Sequence, residues 1–342
     1  MNLYNKDILS VFEEKLPWNK LSGCNILITG ATGLIGGCLV ETLMLNPKRD
    51  YNIYALGRNK ERAFEQFKTF LNCSGFHFLK HDVTQPLEDD VCFDYIIHAA
   101  SGAAPTEFSK RPVEVMKSNI YGVANLIDYG LRHGLKRFLY VSSGEVYGEG
   151  DGRVFTEDYS GFVDNISPRS CYPSSKRAAE TLCVSYSSEY GVDVVIARPC
   201  HIYGPHFTES DNRVYAQFFR NVLRGENIVM KSTGEQYRSW CYVVDCVSAL
   251  LYILMKGENC QAYNIADSQS NITIRELAET IAYLSNKKVV MDLTSSEEKS
   301  GYTVVTKAVF STDKLEALGW KPSFPILEGL KRTQSVLNTL TP

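Results

Sequence analysis

The chain has 342 residues, a formal charge of −3 and 44% hydrophobic residues, the balance of a soluble globular enzyme with a large core. The near-neutral charge gives no footprint for nucleic acid, and no apolar run is long enough for a transmembrane helix, so neither nucleic-acid nor membrane partners are expected. Ten cysteines without a C-x-x-C pair and six histidines without a ligand spacing signal no metal site; with no apolar signal core at the start, they imply free thiols in a reducing, cytoplasmic compartment.

Residues 1–21 carry Asp7, Glu13 and Glu14 and read as a short amphipathic helical extension. Cys24 to Thr29 is a short apolar run, expected to be a buried parallel strand. Gly30-Ala31-Thr32-Gly33-Leu34-Ile35-Gly36 follows, and then helical apolar spacing to Asn46. Further strands are expected at Tyr51–Leu56, Phe76–Leu79, Phe93–His98, Arg137–Ser142 and Asp193–Ala197, with helices over Pro112–His133 and Tyr172–Tyr190. That alternation predicts an α/β fold, a Rossmann-type doubly wound parallel sheet with helices on both faces.

After Arg198 the pattern loosens. Cys200–Asn212 reads as a loop, Val214–Arg224 as a helix, and Ile228–Lys231 and Arg238–Val244 as short strands. Helices are expected at Asp245–Met255 and Ile274–Leu284, the second capped by Asn271 or Thr273. The stretch 295–306 is polar and irregular. The expected division is a dinucleotide-binding domain over 22–198 plus about 238–256, and a smaller C-terminal substrate-binding lobe from 199–237 and 257–335.

A glycine motif between a strand and a helix is the setting for a dinucleotide pyrophosphate. Gly30 permits the turn, Gly33 lets phosphate approach the backbone beside Leu34 and Ile35, and Gly36 admits close packing. Asp82 and Val83 after the third strand suit the adenine; Ala99 and Ala100 after the fourth are small enough for a cofactor to pass, with Ser101 beyond them. At the end of the second strand stands Arg58 instead of the acidic residue that would bind a ribose diol, which leaves NADP open beside NAD.

The chemistry-bearing block is Tyr172-Pro-Ser-Ser-Lys176, preceded by Ser142-Ser143-Gly144-Glu145. Tyr172 and Lys176 share one helix face, and a nearby ammonium favours an ionised phenol. Together with Asn119, Arg198-Pro199, Tyr203-Gly204-Pro205 and Arg238-x-x-x-Tyr242-Val243-x-Asp245, these motifs resemble the extended short-chain dehydrogenase/reductases of the nucleotide-sugar epimerase/dehydratase group. Within that group, Pro168-Arg169-Ser170-Cys171-Tyr172, Lys176-Arg177-x-x-Glu180 and Asp211-Asn212-Arg213-Val214 are most similar to UDP-glucuronate decarboxylases.

The resemblance implies an NAD-dependent homodimer acting on a nucleotide sugar, with the dimer formed through the helices near 112–133 and 172–190. It implies Tyr172 as the base at the sugar C4 hydroxyl, Lys176 as its electrostatic partner and ribose contact, and Ser143 as the group polarising the C4 ketone. Ser142, Asn119 and Pro199 would lie along the cofactor; Ser101, His201, Arg213 and Arg238 would meet the substrate. Three outcomes follow C4 oxidation: decarboxylation, 4-epimerisation or 4,6-dehydration. Dehydration needs an Asp-Glu pair after the hydroxyl residue, and Gly144 can donate nothing. Glu145 favours decarboxylation, and 4-epimerisation stays open.

Two residues depart from the decarboxylase pattern. Gly144 stands where a serine is usual, and His201 stands where an asparagine usually contacts substrate. A reading from another class, a dinucleotide-sensing regulator, conflicts with the retention of Ser143, Tyr172 and Lys176.

Overall fold

A computed structural model describes residues 3–209, 211–292 and 306–340. Residues 295–305 of the polar stretch noted above lie outside them. In chain order the helices are α1 (Leu3–Ser10), α2 (Leu34–Leu45), α3 (Lys60–Gln66), α4 (Pro105–Lys110), α5 (Pro112–Arg132), α6 (Cys171–Tyr190), α7 (Val214–Leu223), α8 (Val243–Lys256), α9 (Ile274–Leu284), α10 (Asp313–Glu316) and α11 (Ile326–Leu340). The strands are β1 (Asn25–Thr29), β2 (Asn52–Gly57), β3 (Phe76–Lys80), β4 (Tyr95–His98), β5 (Arg137–Val141), β6 (Val194–Pro199), β7 (His201–Tyr203), β8 (Ile228–Met230), β9 (Tyr237–Tyr242), β10 (Gln261–Ile265), β11 (Asn271–Thr273), β12 (Val289–Met291) and β13 (Lys307–Ala308).

Seven strands form one parallel sheet in the order β3-β2-β1-β4-β5-β6-β10. Successive side chains on a strand point to opposite faces, and β1 shows both: Ile26 and Ile28 join the core under α2 and α8, and Leu27 joins the core under α5 and α6. The strand order reverses between β1 and β4, and ligands of open α/β sheets sit in the crevice at such a point. A smaller sheet, in which β9 pairs with β7, β11 and β13, stands beside the carboxyl ends of β5 and β6.

Several elements escape a search for apolar periodicity. β10 reads Gln-Ala-Tyr-Asn-Ile; as an edge strand it spends its polar side chains on neighbours, Asn264 accepting from the Tyr147 hydroxyl at 2.5 Å. β7 lies inside the span expected to be a loop, because three residues show no period. The expected strand over Arg238–Val244 ends at Tyr242, and α8 begins at Val243, two residues before the expected start. Asp245 in its first turn accepts backbone bonds from Ser323 and Phe324 at 2.8 and 3.0 Å. Thr273, not Asn271, caps α9, in a reciprocal capping box with Glu276. Helix α1 is anchored by Asp7, which is buried against Arg332 of α11 and the Tyr242 hydroxyl.

Candidate active site

The glycine turn sits where β1 meets α2. Gly30 has φ +66°, and a Cβ there would stand 2.7 Å from the Ala99 carbonyl; a Cβ on Gly36 would run into the Gly30 carbonyl. Both positions therefore require glycine. Gly33 is the N-cap of α2 and supplies no side-chain cap, so the first amides of a 12-residue helix, beginning at Leu34 and Ile35, remain for an anion. The Thr29 hydroxyl bonds His98 Nδ1 at 2.7 Å and accepts from the Ala100 amide at 3.2 Å, which holds the 99–100 turn against the glycines. Val83 is buried beside this turn. Arg58 and Asp82 face each other at 3.8 Å across the ends of β2 and β3, both well exposed.

Further along the crevice, Ser142 is buried and its hydroxyl has no protein partner. Lys176 is fully buried and bonds the Val141 carbonyl at 2.8 Å. A buried unpaired hydroxyl, a lysine with further donors and an uncapped helix N-terminus fit a bound dinucleotide. Pro199 closes the end of β6 beside them. Asn119 is fully buried; its amide accepts from Ser101 and donates to Ser175, both at 2.9 Å. It thereby ties the loop after β4 to α6, which places Ser101 and Asn119 in a structural bond as well as near the crevice.

Tyr172 and Lys176 occupy one face of α6, and that helix is held firmly. Glu180 on the next turn makes a bidentate pair with Arg198 of β6, at 3.0 and 2.7 Å. Arg177 donates to the Val146 and Gly161 carbonyls, which ties α6 to the segment carrying Glu145. The charge pairing of Tyr172 with Lys176 is indirect: the Lys176 ammonium lies 5.8 Å from the Tyr172 ring centroid and 4.7 Å from that of Tyr140. Burial pushes Lys176 down to about 7. Burial also pushes the Tyr172 phenol up to about 12, aided by the negative charge of Glu145, against a hydrogen bond with Ser143 and the charges of Arg213 and Arg169. Ser143 also caps the short turn at Gly144, accepting from the Glu145 amide at 3.2 Å.

Three arginines reach this end of the site. Arg169 donates to both oxygens of Glu145 at 2.9 Å and lies over the Phe108 ring, 4.6 Å from its centroid. Phe108 in turn stacks on Tyr172 at 4.6 Å. Arg213 makes a bidentate pair with buried Asp211 and donates to the Tyr215 hydroxyl. Arg238, on β9, meets His201 Nε2 at 2.8 Å, and its Nε has no partner. Among the described residues it forms no ion pair with a carboxylate. Arg238 feels the charges of Glu145 and Arg169, so all three belong to one cluster.

Sequence reasoning used Arg169 only as a family marker, although it stands three residues before Tyr172; it missed Phe108, Phe310 and Tyr140, which carry no chemistry to flag them. Phe310 explains Gly144. A Cβ on Gly144 would stand 2.3 Å from the Phe310 ring. We expect Gly144→Ser to cost about 1–3 kcal/mol through overpacking, and Gly144→Asp to fail as a dehydratase acid unless Phe310→Ala is made with it. Thermal melts of the single and double variants check this; a stable Gly144→Ser protein with Phe310 intact would refute the steric account.

The profile of the NAD dependent epimerase/dehydratase family matches residues 26–266. UDP-glucuronic acid decarboxylase 5 of Arabidopsis thaliana is 36% identical over 315 residues, covering 90% of this chain and 88% of that protein. UDP-glucuronic acid decarboxylase 1 of Xenopus tropicalis is 32% identical over 308 residues, 90% of this chain and 70% of that one. UDP-glucose 4-epimerase from Thermotoga maritima, solved with UDP-glucose, superposes with a TM-score of 0.78 at 25% identity, over 92% of this chain and 99% of that one. dTDP-glucose 4,6-dehydratase from Bacillus anthracis, solved with NAD, superposes with a TM-score of 0.78 at 22% identity, over 93% and 97%, a likeness of fold.

Proposed function

The chain belongs to the NAD-dependent epimerase/dehydratase family, and from that premise we propose that it oxidises a nucleotide sugar at C4 and then decarboxylates it, taking a UDP-glucuronate-like substrate. The observation that carries this reading is a charge count. Arg169 is neutralised by Glu145 and Arg213 by Asp211, and Arg238 keeps its charge. A guanidinium held in a half-buried site without a carboxylate partner is a receptor for an anion, either a carboxylate or the diphosphate of a nucleotide sugar, and we assign it to the C6 carboxylate. A nucleotide sugar with a C6 hydroxymethyl group offers it only the diphosphate.

The cofactor, when bound, accepts the C4 hydride and later returns it. Gly33, Leu34 and Ile35 would hold its pyrophosphate, Ser142 and Lys176 its nicotinamide end, and Ala99 and Ala100 would leave it room. Asp82 beside Arg58 opposes a 2′-phosphate, which favours NAD. Tyr172 takes the proton from the C4 hydroxyl, and Lys176, held by the Val141 carbonyl below, lends positive charge from the same helix face. Ser143 polarises the forming ketone. With a ketone at C4 and a carboxylate at C6, the substrate is a β-keto acid, and the C5–C6 bond breaks to release carbon dioxide and an enolate at C4–C5. A solvent proton taken up at C5, and return of the proton from Tyr172 to the C4 oxygen as C4 is reduced again, would complete the turnover.

The test is to mix purified protein with UDP-glucuronate and NAD. Carbon dioxide and a UDP-pentose are expected. A product with C6 retained and C4 inverted by NMR would replace this reading with 4-epimerisation.

The assembly reading is a homodimer through α5 and α6, supported by Val113, Met116, Tyr121, Leu131, Val184 and Tyr190, which stay exposed on those helices. A monomeric mass by light scattering would remove it. No helix among the described residues is long and apolar enough to cross a membrane.

A further inference from the structure

The residue that holds Arg238 is itself informative. β7 and β9 pair in parallel with His201 opposite Trp240, so the imidazole lies beside Arg238. The Arg238 Nη1 to His201 Nε2 distance is 2.8 Å. A guanidinium donates and cannot accept, so Nε2 carries the lone pair. The proton therefore sits on Nδ1, which faces the Ser239 carbonyl at 3.3 Å. The ring also lies 5.2 Å from Trp240. Both nitrogens have partners inside the protein, which points to a supporting role at a position where a substrate contact is expected.

We propose that His201 is a positioning residue whose neutral imidazole fixes the Arg238 guanidinium without cancelling its charge, and so sets selectivity for a C6 carboxylate over a C6 hydroxymethyl group. The other two arginines show the alternative. Carboxylate partners hold Arg169 and Arg213 equally well but pair each cation with an anion, which lowers the net charge left for a ligand. An acceptor that cannot become an anion holds the geometry and keeps the cation. The groups facing the imidazole favour its neutral form: burial, Arg238 on β9 and Arg213 at the start of α7 oppose a second proton, against the Ser239 carbonyl. With Nη1 engaged, the rest of the guanidinium fork is left for the ligand. This inference rests on the reading that Arg238 meets the C6 carboxylate.

The experiment measures binding of UDP-glucuronate and UDP-glucose to the NAD-loaded enzyme by calorimetry, for the wild type, His201→Gln, His201→Leu and His201→Glu. His201→Gln keeps a neutral acceptor and is expected within about threefold of wild type for both ligands. His201→Leu is expected to lose about tenfold for UDP-glucuronate, and His201→Glu about a hundredfold, each with little change for UDP-glucose. Equal losses on the two ligands, or a glutamine variant as poor as leucine, would overturn the proposal in favour of simple ring packing against Trp240. A wild type that does not prefer UDP-glucuronate would sink the carboxylate reading instead. The latch is then judged by ¹⁵N NMR of the histidines, where His201 should show the Nδ1–H form and no titration from about pH 5 to about pH 9. An Nε2–H form would refute it, and this holds even if the leucine variant does not fold.

Discussion

Tyr172→Phe is expected to lower turnover by about three orders of magnitude while leaving NAD affinity within about twofold. The two side chains differ by one hydroxyl. The ring of the variant keeps its stacking on Phe108 and its place among Phe108, Val115 and Cys171, so the site should not collapse. What disappears is the hydroxyl proposed to take the C4 proton. The phenol is neutral in the folded protein because burial and Glu145 raise it to about 12, so the base is made only when positive charge gathers around it. Arg213 and Arg169 already contribute positive charge there, and Lys176, anchored to the Val141 carbonyl and pushed down to about 7 by burial, adds to it when protonated. Steady-state assays and calorimetry with NAD check the split. Turnover within about tenfold of wild type would mean that another group removes the proton.

The second large effect is expected at Glu145→Gln: kcat for carbon dioxide release falls by about a hundredfold while KM for UDP-glucuronate holds or drops. Glu145 cancels the charge of Arg169 through two 2.9 Å bonds. Without that anion, two uncompensated guanidiniums would face the carboxylate proposed for the substrate. Decarboxylation turns that carboxylate into neutral carbon dioxide, so added cation stabilises the ground state more than the transition state. The variant has a second signature of opposite sign. Glu145 raises the Tyr172 phenol, so its neutralisation brings the phenol down and moves the rising limb of C4 oxidation to lower pH. Single-turnover measurement of nicotinamide reduction against carbon dioxide release separates the two steps. A KM that rises in proportion to the loss in kcat would show instead that Glu145 binds the sugar directly.

Packing, not charge, governs Gly144. Part of the difference from related sites is steric, since Phe310 fills the space a side chain would need. The residue between Ser143 and Glu145 is therefore governed by an aromatic ring that arrives from a segment more than 160 positions later in the chain.

The parallel sheet, the glycine turn and the pairing of Tyr172 with Lys176 were readable in the linear chain because each is a local pattern: a run of apolar residues, a turn that excludes Cβ atoms, a spacing of four on one helix face. The family resemblance rested on the same short motifs. Chemistry that depends on counter-ions was not readable. Arg169, Arg213 and Arg238 are the same residue type, and no spacing distinguishes them. Their partners, Glu145, Asp211 and His201, reach them by a turn at the end of β5, a loop before α7 and a strand pair between β7 and β9. Whether an arginine is spent or left charged is a matter of distances of about 3 Å across elements far apart in sequence, since that is the range over which a charge is neutralised by contact. His201 shows it most clearly: the sequence marks it as an unusual residue at a substrate position, and the fold sets its Nε2 against Arg238, the one of these three guanidiniums without a carboxylate partner among the described residues.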